Sequence, residues 1–303
     1  MNFEFTVLGT GSATPTLTRN PSAYLLTVDN EYFLIDCGEA TQYRLQEQKI
    51  RHTRMRHIFI SHLHGDHYFG LVGLLSSLSL NRRTEDMTIV GPRGLAEILT
   101  IQFKHSESIL NFKVNFIETE PEKAQLILDH PLITVETIPL QHRIPCCGFL
   151  FKEKQPKRKI IKEKLPENFP IPYIHQLKNG QDVTDELTGK VYLCSDFTTE
   201  PTTPKSFAYC SDTAYDEHKI EQIKGVDTLF HEATFTENEL QRAIKTNHST
   251  AKQAATIAQK SNAKQLIIGH YSSRYDDLSG HLAEAQSVFE NTKLAIEGDT
   301  YKI

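Results

Sequence analysis

The sequence has no cysteine pattern that could cross-link the chain or build a cysteine metal site. Its five cysteines are an odd set and include no Cys-x-x-Cys spacing. It therefore predicts neither a disulfide framework nor a cysteine-based zinc ribbon. We expect reduced and mostly buried thiols in a cytoplasmic protein.

Long hydrophobic runs and an excess of positive charge are also missing. No apolar stretch reaches about eighteen residues, the length that a membrane helix needs, and residues 3–8 are already strand-like. The sequence therefore predicts neither a membrane span nor a signal peptide. The net charge of −5 gives no sign of a nucleic-acid binder across the whole chain. With 303 residues, 39% of them hydrophobic, the chain can form one large domain or two fused half-domains.

Short β-rich runs alternate with helical patterns along the chain. Helices are predicted at residues 39–48, 68–80, 94–104, 250–259 and 284–290. Thr250 begins the fourth of these, and Gln253 follows three residues later, which is a capping box. Strands followed by helices occur twice, and this order favours a layered α/β sandwich with sheets inside and helices outside.

Residues 62–67 read His-Leu-His-Gly-Asp-His and directly follow an apolar, strand-like run. Neutral imidazole and carboxylate groups are natural ligands for a divalent ion such as zinc. In an extended loop, His62 and His64 would face one side, which leaves Asp66 and His67 free for a second ion. Two ions can clamp the attacking and leaving oxygens of a phosphoryl transfer. The alternative, a histidine-rich surface tract, lacks this spacing.

Further ligands are expected where other strands end, because a rigid sheet positions the loops there. His142, Asp212 and His270 each lie just past an apolar run, as residues 62–67 do. One histidine near a strand end is more often structural. Three such residues in a chain that already holds the first motif predict the remaining ligands of a two-ion centre.

Several stretches resemble the ribonuclease Z family of the metallo-β-lactamase superfamily. They are HLHGDHYFGLVGLL from residue 62, LQHRIPCCGF from 140, YCSDT from 209, HEATF from 231, NHST from 247 and IIGHYSSRY from 267. The first motif alone indicates only the superfamily, whereas the later ones are more specific. The resemblance implies a single four-layer αβ/βα metallo-β-lactamase sandwich over residues 1–303, with an inserted flexible arm.

The same resemblance implies two Zn²⁺ ions per subunit. His62, His64 and His142 would hold one ion, and Asp66, His67 and His270 the other, with Asp212 bridging them. The activity would be endonucleolytic removal of 3′ trailers from tRNA precursors, which leaves a 3′ hydroxyl on the tRNA and a 5′ phosphate on the trailer.

Two further residues complete the implied chemistry. Asp66 would also orient the attacking water and accept its proton. His248 would donate a proton to the departing 3′ oxygen, oriented by Glu232. The alternative for His248 is a residue that simply precedes a capped helix.

Residues 151–190 interrupt the β-rich rhythm with four prolines and a basic cluster that includes Lys157, Arg158 and Lys159. The prolines disfavour a continuous helix or a central strand. On an acidic protein such a cluster would attract polyanions, although a solvated charged loop is the alternative. The segment falls where the family carries its tRNA-binding arm. It departs from the usual arm, because the Gly-Pro element expected before residues 177–180 is absent.

Other substrate and partner assignments follow from the resemblance. Family members are commonly homodimers in which the arm of one subunit serves the other's active site, and the partner would be pre-tRNA with no membrane involved. Arg19 is either a phosphate contact or an ordinary loop arginine. Ser273 and Arg274 lie in a matching motif and are further candidates for substrate binding.

Two rival functions remain open. A phosphodiesterase acting on small phosphodiesters or cyclic nucleotides would share every ligand but has no use for a long basic arm. A non-catalytic RNA-binding protein on the same fold is the second rival. A decayed site normally loses ligands, and here all seven positions are filled. A thioester or amide hydrolase fits the later motifs poorly.

Overall fold

The computed structural model describes residues 2–303. The strands are β1 Phe3–Gly9, β2 Gly11–Ser12, β3 Ala23–Val28, β4 Glu31–Cys37, β5 Met55–Phe59, β6 Met87–Pro92, β7 Val114–Thr119, β8 Leu126–Asp129, β9 Ile133–Leu140, β10 Cys146–Glu153, β11 Lys159–Ile160, β12 Val183–Thr184, β13 Val191–Tyr192, β14 Thr198–Thr199, β15 Ser206–Cys210, β16 Thr228–Glu232, β17 Gln265–Gly269, β18 Tyr271–Ser272, β19 Thr292–Leu294 and β20 Thr300–Lys302. The helices are α1 Thr41–Glu47, α2 Gly65–Tyr68, α3 Leu71–Leu80, α4 Leu95–His105, α5 Ile171–Lys178, α6 Cys194–Phe197, α7 Leu240–Thr246, α8 Ala251–Lys260 and α9 Ser279–Gln286.

Two compact units share the chain. The larger consists of residues 2–152 and Lys205–Ile303, and the smaller of Glu153–Pro204. Lys152 at the end of β10 pairs with Ser206 at the start of β15 in an antiparallel ladder. The chain therefore leaves the larger unit and re-enters it at neighbouring positions of one sheet.

Two seven-stranded sheets form the centre of the larger unit. Their orders are β20-β1-β3-β4-β5-β6-β7 and β19-β17-β16-β15-β10-β9-β8. From β4 to β7 the first sheet is parallel, as the second is from β15 to β19. The carboxyl ends of parallel strands are where open α/β sheets carry their sites, so each sheet offers such an edge.

Aromatic side chains fill the space between the two sheets. Phe5 of β1 lies 4.7 Å, between ring centroids, from Phe207 of β15, and Tyr24 of β3 lies 4.7 Å from Phe230 of β16. Outside the first sheet, an aliphatic cluster includes residues of α1, α3 and α4. Outside the second, α8 and α9 contribute mainly alanines to a further cluster. The layers run helix, sheet, sheet, helix, which confirms the predicted four-layer sandwich.

The smaller unit has a hydrophobic core of its own. Leu177, Val183, Tyr192 and Cys194 are buried within it, and β11 pairs with β14, which closes the unit after residue 190. The prolines were predicted to disfavour a continuous helix, and within residues 153–204 the unit contains only the short α-helices α5 and α6. Pro170 is the N-cap of α5 and Pro172 stands in its first turn, where the missing N–H costs nothing.

Most predicted helices are found with shifted ends. The capping box at Thr250 and Gln253 is confirmed, since each side chain bonds the other's backbone N–H. The helix predicted at 68–80 is divided at Gly70 between α2 and α3. The helix predicted at 284–290 is instead α9, and α7 went unpredicted.

The state of the cysteines and the hydropathy of the helices bear on two expectations from the sequence, that the chain has neither a disulfide framework nor a membrane span. All five cysteines are free and buried, and burial raises the pKa of the Cys37 thiol to about 12 and that of Cys210 to about 11. Among residues 2–303, no helix combines the length and the hydropathy needed to cross a membrane.

Candidate metal centre and active site

The predicted ligands meet at one edge of the larger unit. Residues 62–67 follow β5, His142 follows β9, Asp212 follows β15, and His270 lies between β17 and β18. The predicted extended loop ends at His64, because Gly65–Tyr68 forms the short helix α2. Asp66 and His67 therefore project from a helical turn.

The first cluster joins three histidines and one carboxylate. Nδ1 of His64 lies 3.0 Å from Nε2 of His62 and 3.1 Å from Nε2 of His142. Oδ2 of Asp212 lies 3.5 Å from the His62 nitrogen and 3.8 Å from the His142 nitrogen. The four ligand atoms all lie within 4.8 Å of one another.

The second cluster uses the other oxygen of Asp212. Oδ1 of Asp212 lies 3.4 Å from Nε2 of His67 and 3.1 Å from Nε2 of His270. Oδ2 of Asp66 lies 3.5 Å and 3.6 Å from the same two nitrogens. Asp212 thus presents one oxygen to each cluster, in the place expected for a bridging carboxylate.

The spacing of the ligand atoms suits a small divalent ion. Zinc bonds of about 2.0–2.1 Å in a tetrahedron place neighbouring ligand atoms about 3.3 Å apart. The separations given above run from 3.0 to 3.8 Å in the first cluster and from 3.1 to 3.6 Å in the second. Both clusters are therefore able to bind a metal ion.

Hydrogen bonds behind the first motif select the histidine tautomers. Ser61 Oγ donates to Asp36 Oδ2 and lies 3.0 Å from Nδ1 of His62, which must then be the donor. Nδ1 of His67 lies 2.8 Å from the same Asp36 oxygen. Both rings carry their proton on Nδ1, so Nε2 presents a lone pair to the clusters.

Hydrogen bonds on the opposite side of the site likewise select the tautomers of His270 and His142. Thr234 Oγ1 donates to Glu232 Oε2, so it accepts from Nδ1 of His270 at 2.9 Å. Nδ1 of His142 donates to the carbonyl oxygen of Asn247 at 2.9 Å. His270 and His142 also direct an unprotonated Nε2 inward.

Three buried ligand atoms have no hydrogen-bond partner among the described residues, which suits them to binding a cation. Nε2 of His67, Nε2 of His270 and Oδ1 of Asp212 are buried and make no hydrogen bond, although buried polar atoms are nearly always paired. Burial opposes the charged form of His67, but the carboxylates of Asp212 and Asp66 outweigh it and raise its pKa. A cation is the occupant that satisfies all three atoms.

Asp36, at the end of β4, organises the second layer of contacts and was not predicted from the sequence. Its carboxylate accepts from the backbone N–H and hydroxyl of Ser61, from His67 and from the hydroxyl of Tyr209 at 2.7 to 3.0 Å. Its φ of 55° lies in the left-handed region that Asp and Asn tolerate. A lone aspartate after an apolar run gives no spacing signal by which it could have been found.

His248 and Glu232 form a buried pair beside the second cluster. Nδ1 of His248 lies 2.9 Å from Oε1 of Glu232, which also accepts from the backbone N–H of Thr213. Burial lowers the pKa of His248, but the adjacent carboxylate more than offsets this and raises it to about 9. The structure therefore brings these two predicted residues together, and the carboxylate of Glu232 favours the protonated form of the imidazole.

A cavity of about 300 Å³ opens onto both clusters. Its lining is Ser12, Ala13, Glu39, His64, Gly65, Asp66, Phe69, Arg143, Asp212 and His248. Arg143 and Phe69 were not predicted; Arg143 adjoins His142 in the chain, and Phe69 falls within the first motif. Ala13 donates its backbone N–H to Oδ2 of Asp66 at 2.7 Å, which fixes that carboxylate.

Three predicted substrate residues lie outside the lining of this cavity. Arg19 is buried and donates to the carbonyl oxygen of Tyr275. Ser273 and Arg274 are exposed in the loop after β18. Their contact with substrate stays a prediction.

The predicted basic residues of the smaller unit differ in exposure and in their contacts. Lys157 and Lys159 are exposed, whereas Arg158 donates to Glu200 and to Thr198 at 2.7 Å each. A groove of about 620 Å³ is lined by Lys157, Arg158, Lys159, Ile160, Lys162, Leu165, Ile174 and Lys178. Arg158 thus has a structural contact of its own, and the groove also contains Lys162, from the same basic cluster, and Lys178.

Comparison with known proteins places this site in a family. A family model described as "Anti-Pycsar protein Apyc1" matches residues 3–156, and one described as "Beta-lactamase superfamily domain" matches residues 171–271. The chain is 50% identical to a ribonuclease Z of Cytophaga hutchinsonii, over 100% of its own length and 97% of the relative's. The chain belongs to the ribonuclease Z family. A ribonuclease Z of Bacteroides fragilis is 46% identical over 97% of each chain.

Solved structures agree with this membership. The ribonuclease Z fold seen here matches that of human tRNase Z, short form, with a TM-score of 0.71, 26% identity and 98% of each chain covered. A long form RNase Z from yeast matches 99% of this chain and 41% of its own, with a TM-score of 0.67 and 19% identity. The predicted metallo-β-lactamase fold is thus confirmed.

Replacing Asp36 by Asn should weaken metal binding. An amide can no longer accept from all four donors, so His67 loses the contact that fixes its tautomer. We expect the metal dissociation constant, measured by competition with a chromophoric chelator, to rise about 10- to 100-fold. Asn tolerates the backbone conformation at this position, and Asp29→Asn in the exposed turn between β3 and β4 is the matched control. Unchanged affinity in Asp36→Asn would show that this contact does not tune the site.

Proposed function

We propose that the protein is a metal-dependent endoribonuclease that removes 3′ trailers from tRNA precursors. The observation that carries the proposal is the pair of clusters sharing Asp212, in a chain 50% identical to a ribonuclease Z. The products would be a tRNA with a 3′ hydroxyl and a trailer with a 5′ phosphate. The reaction would take place in the cytoplasm, as the buried, free thiols suggest.

Two zinc ions per subunit are the proposed cofactors. His62, His64 and His142 would hold one, and Asp66, His67 and His270 the other, with Asp212 between them. When bound, two such ions supply an activated water at neutral pH and neutralise charge on the scissile phosphate. Imidazole and carboxylate donors at these separations favour zinc.

Asp66 would position the attacking water. Its contacts with His67, His270 and Ala13 all involve Oδ2, which leaves Oδ1 to accept a proton from water. Burial opposes its ionisation, but His67 and His270 outweigh burial and hold the pKa of Asp66 below its usual range. Arg143, exposed in the cavity lining, would bind a phosphate oxygen.

His248 would protonate the departing 3′ oxygen. It lines the cavity, and the ion pair with Glu232 keeps its proton available at neutral pH. With Nδ1 bonded to Glu232, Nε2 is the nitrogen that would donate to the leaving group. Glu232 is then a positioning residue that acts through His248.

The smaller unit would bind the tRNA away from the cut. Its groove carries Lys157, Lys159, Lys162 and Lys178, and lysines that neutralise phosphates give salt-dependent affinity without sequence preference. Arg158 would support the groove through Glu200. We further propose a homodimer in which each subunit's arm serves the other's active site.

Purified protein should cut a pre-tRNA that carries a 3′ trailer, and chelation of metal should abolish the reaction. Asp212→Ala should abolish cleavage of both pre-tRNA and a small phosphodiester, because both clusters lose a ligand. Product mapping by gel and end-group analysis checks the cut. Hydrolysis of the small diester or of a cyclic nucleotide without any pre-tRNA cleavage would favour the rival phosphodiesterase. Binding of tRNA without cleavage would favour a non-catalytic RNA-binding protein.

Replacing His248 by Ala should slow cleavage about 10²- to 10⁴-fold, the usual contribution of general acid catalysis. A substrate whose scissile 3′ oxygen is replaced by sulfur needs no proton on departure. We therefore expect the loss to shrink strongly with that substrate in single-turnover experiments. An equal loss with both substrates would assign His248 a structural role instead.

Converting Lys157, Lys159 and Lys162 together to Gln should weaken pre-tRNA cleavage and flatten its salt dependence, because about three phosphate contacts are lost. Hydrolysis of a small phosphodiester should not change. The matched control converts three exposed lysines of the larger unit, Lys104, Lys113 and Lys302.

Mixing the triple lysine variant with His248→Ala tests the shared arm. In a mixed dimer, the intact arm of one subunit would serve the intact site of the other, so activity should return on mixing. Light scattering gives the mass of the assembly. No recovery between variants that demonstrably exchange subunits would rule out an arm that works in trans.

A further inference from the structure

Phe69 is a large apolar side chain left exposed inside a polar cavity. The residue is 60% exposed to solvent. The other residues that line the cavity include Asp66, Arg143 and His248. These polar groups suit a phosphate and its surrounding charge. The exposed ring suits a different part of a substrate, because a phosphate gains nothing from an apolar face whereas a flat π system does.

The ring is held in a fixed position by its own turn. It occupies the space above Gly65, where an added Cβ would lie 2.2 Å from Cε2 of Phe69. Tyr68 contacts it edge to face, with ring centroids 5.0 Å apart. The backbone N–H of Phe69 donates to the Gly65 carbonyl oxygen at 2.9 Å. Phe69 is therefore a preorganised platform, and little conformational entropy is lost when something packs on it.

A nucleobase is the part of an RNA substrate that matches such a platform. Every base has a flat π face, and unstacked bases of single-stranded RNA pack on exposed aromatic rings. His64 and Asp66, members of the two clusters, line the same cavity of about 300 Å³ as Phe69. A base that reaches Phe69 thus belongs to a nucleotide close to the reacting phosphate.

We propose that Phe69 stacks on the base of one of the two nucleotides that flank the scissile phosphate and thereby positions that phosphate over the metal centre. The proposal rests on the RNA-cleaving function proposed above. It assigns Phe69 a role in placing the substrate, while the neighbouring polar groups act on the phosphate. Stacking tolerates any base, so this contact would not impose a sequence on the trailer.

The test is a double-mutant cycle between protein and RNA. Phe69→Ala is assayed with an ordinary pre-tRNA and with two substrates that carry an abasic nucleotide on one or the other side of the cut. Stacking of one base contributes enough for a loss in kcat/KM of roughly 10- to 100-fold. We expect Phe69→Ala and one abasic substrate to show this loss separately, and their combination to show no further loss.

Conservative variants separate stacking from a disturbed turn. Phe69→Trp should restore most of the activity, whereas Phe69→Leu fills the space above Gly65 without a π face and should not. Tyr43→Ala is the control, because it removes another exposed aromatic ring that lies outside the cavity lining. Its effect on kcat/KM and the effect of either abasic nucleotide should be independent, so that the two multiply when they are combined. Multiplicative losses for Phe69→Ala with both substrates would overturn the proposal. Absence of pre-tRNA cleavage by the unaltered protein would instead overturn the proposed function.

Discussion

Five imidazole lone pairs and two carboxylates converge within a few ångströms at one edge of the molecule, and this arrangement requires positive charge. Asp212 lies at its centre and presents one oxygen to each cluster. The surrounding hydrogen bonds keep four of the five rings, those of His62, His67, His142 and His270, unprotonated on their inward nitrogens. Asp36 provides this on one side, and the chain of Thr234 and Glu232 on the other. The metal centre is therefore specified by residues that touch no metal.

Both sheets contribute to this arrangement, which explains why the site lies where they meet. Asp36 belongs to the first sheet and Tyr209 to the second, and their hydrogen bond joins the two behind His67. The aromatic side chains between the sheets pack the two sheets against each other. His270 adopts a left-handed φ of 61°, a conformation that persists in a functional site because the packing around it is well determined.

The candidate ligands could be predicted from the sequence because their chemistry is concentrated and regularly placed. Residues 62–67 hold four candidates in six positions, and His142, Asp212 and His270 each stand at the end of an apolar run. Asp36 occupies a similar position at the end of β4 but was missed, since a single carboxylate has no spacing to distinguish it. Phe69 was missed for another reason, because it lies in an apolar stretch of the first motif and its exposure of 60% is visible only in the structure. The helix α5 was not predicted, because prolines that disfavour a continuous helix are still compatible with the N-cap and first turn of a short one.

The ladder between Lys152 and Ser206 has a consequence for how such a protein can vary. Because these residues pair directly, everything between them is topologically the turn of a hairpin, whatever its length. The cost of closing a loop grows only slowly as it lengthens, and the inserted unit carries a core of its own. Such a segment can be shortened, rebuilt or exchanged without shifting the register of the sheet that positions Asp212. The inserted unit is thereby free to diverge while the edge that carries the two clusters stays the same.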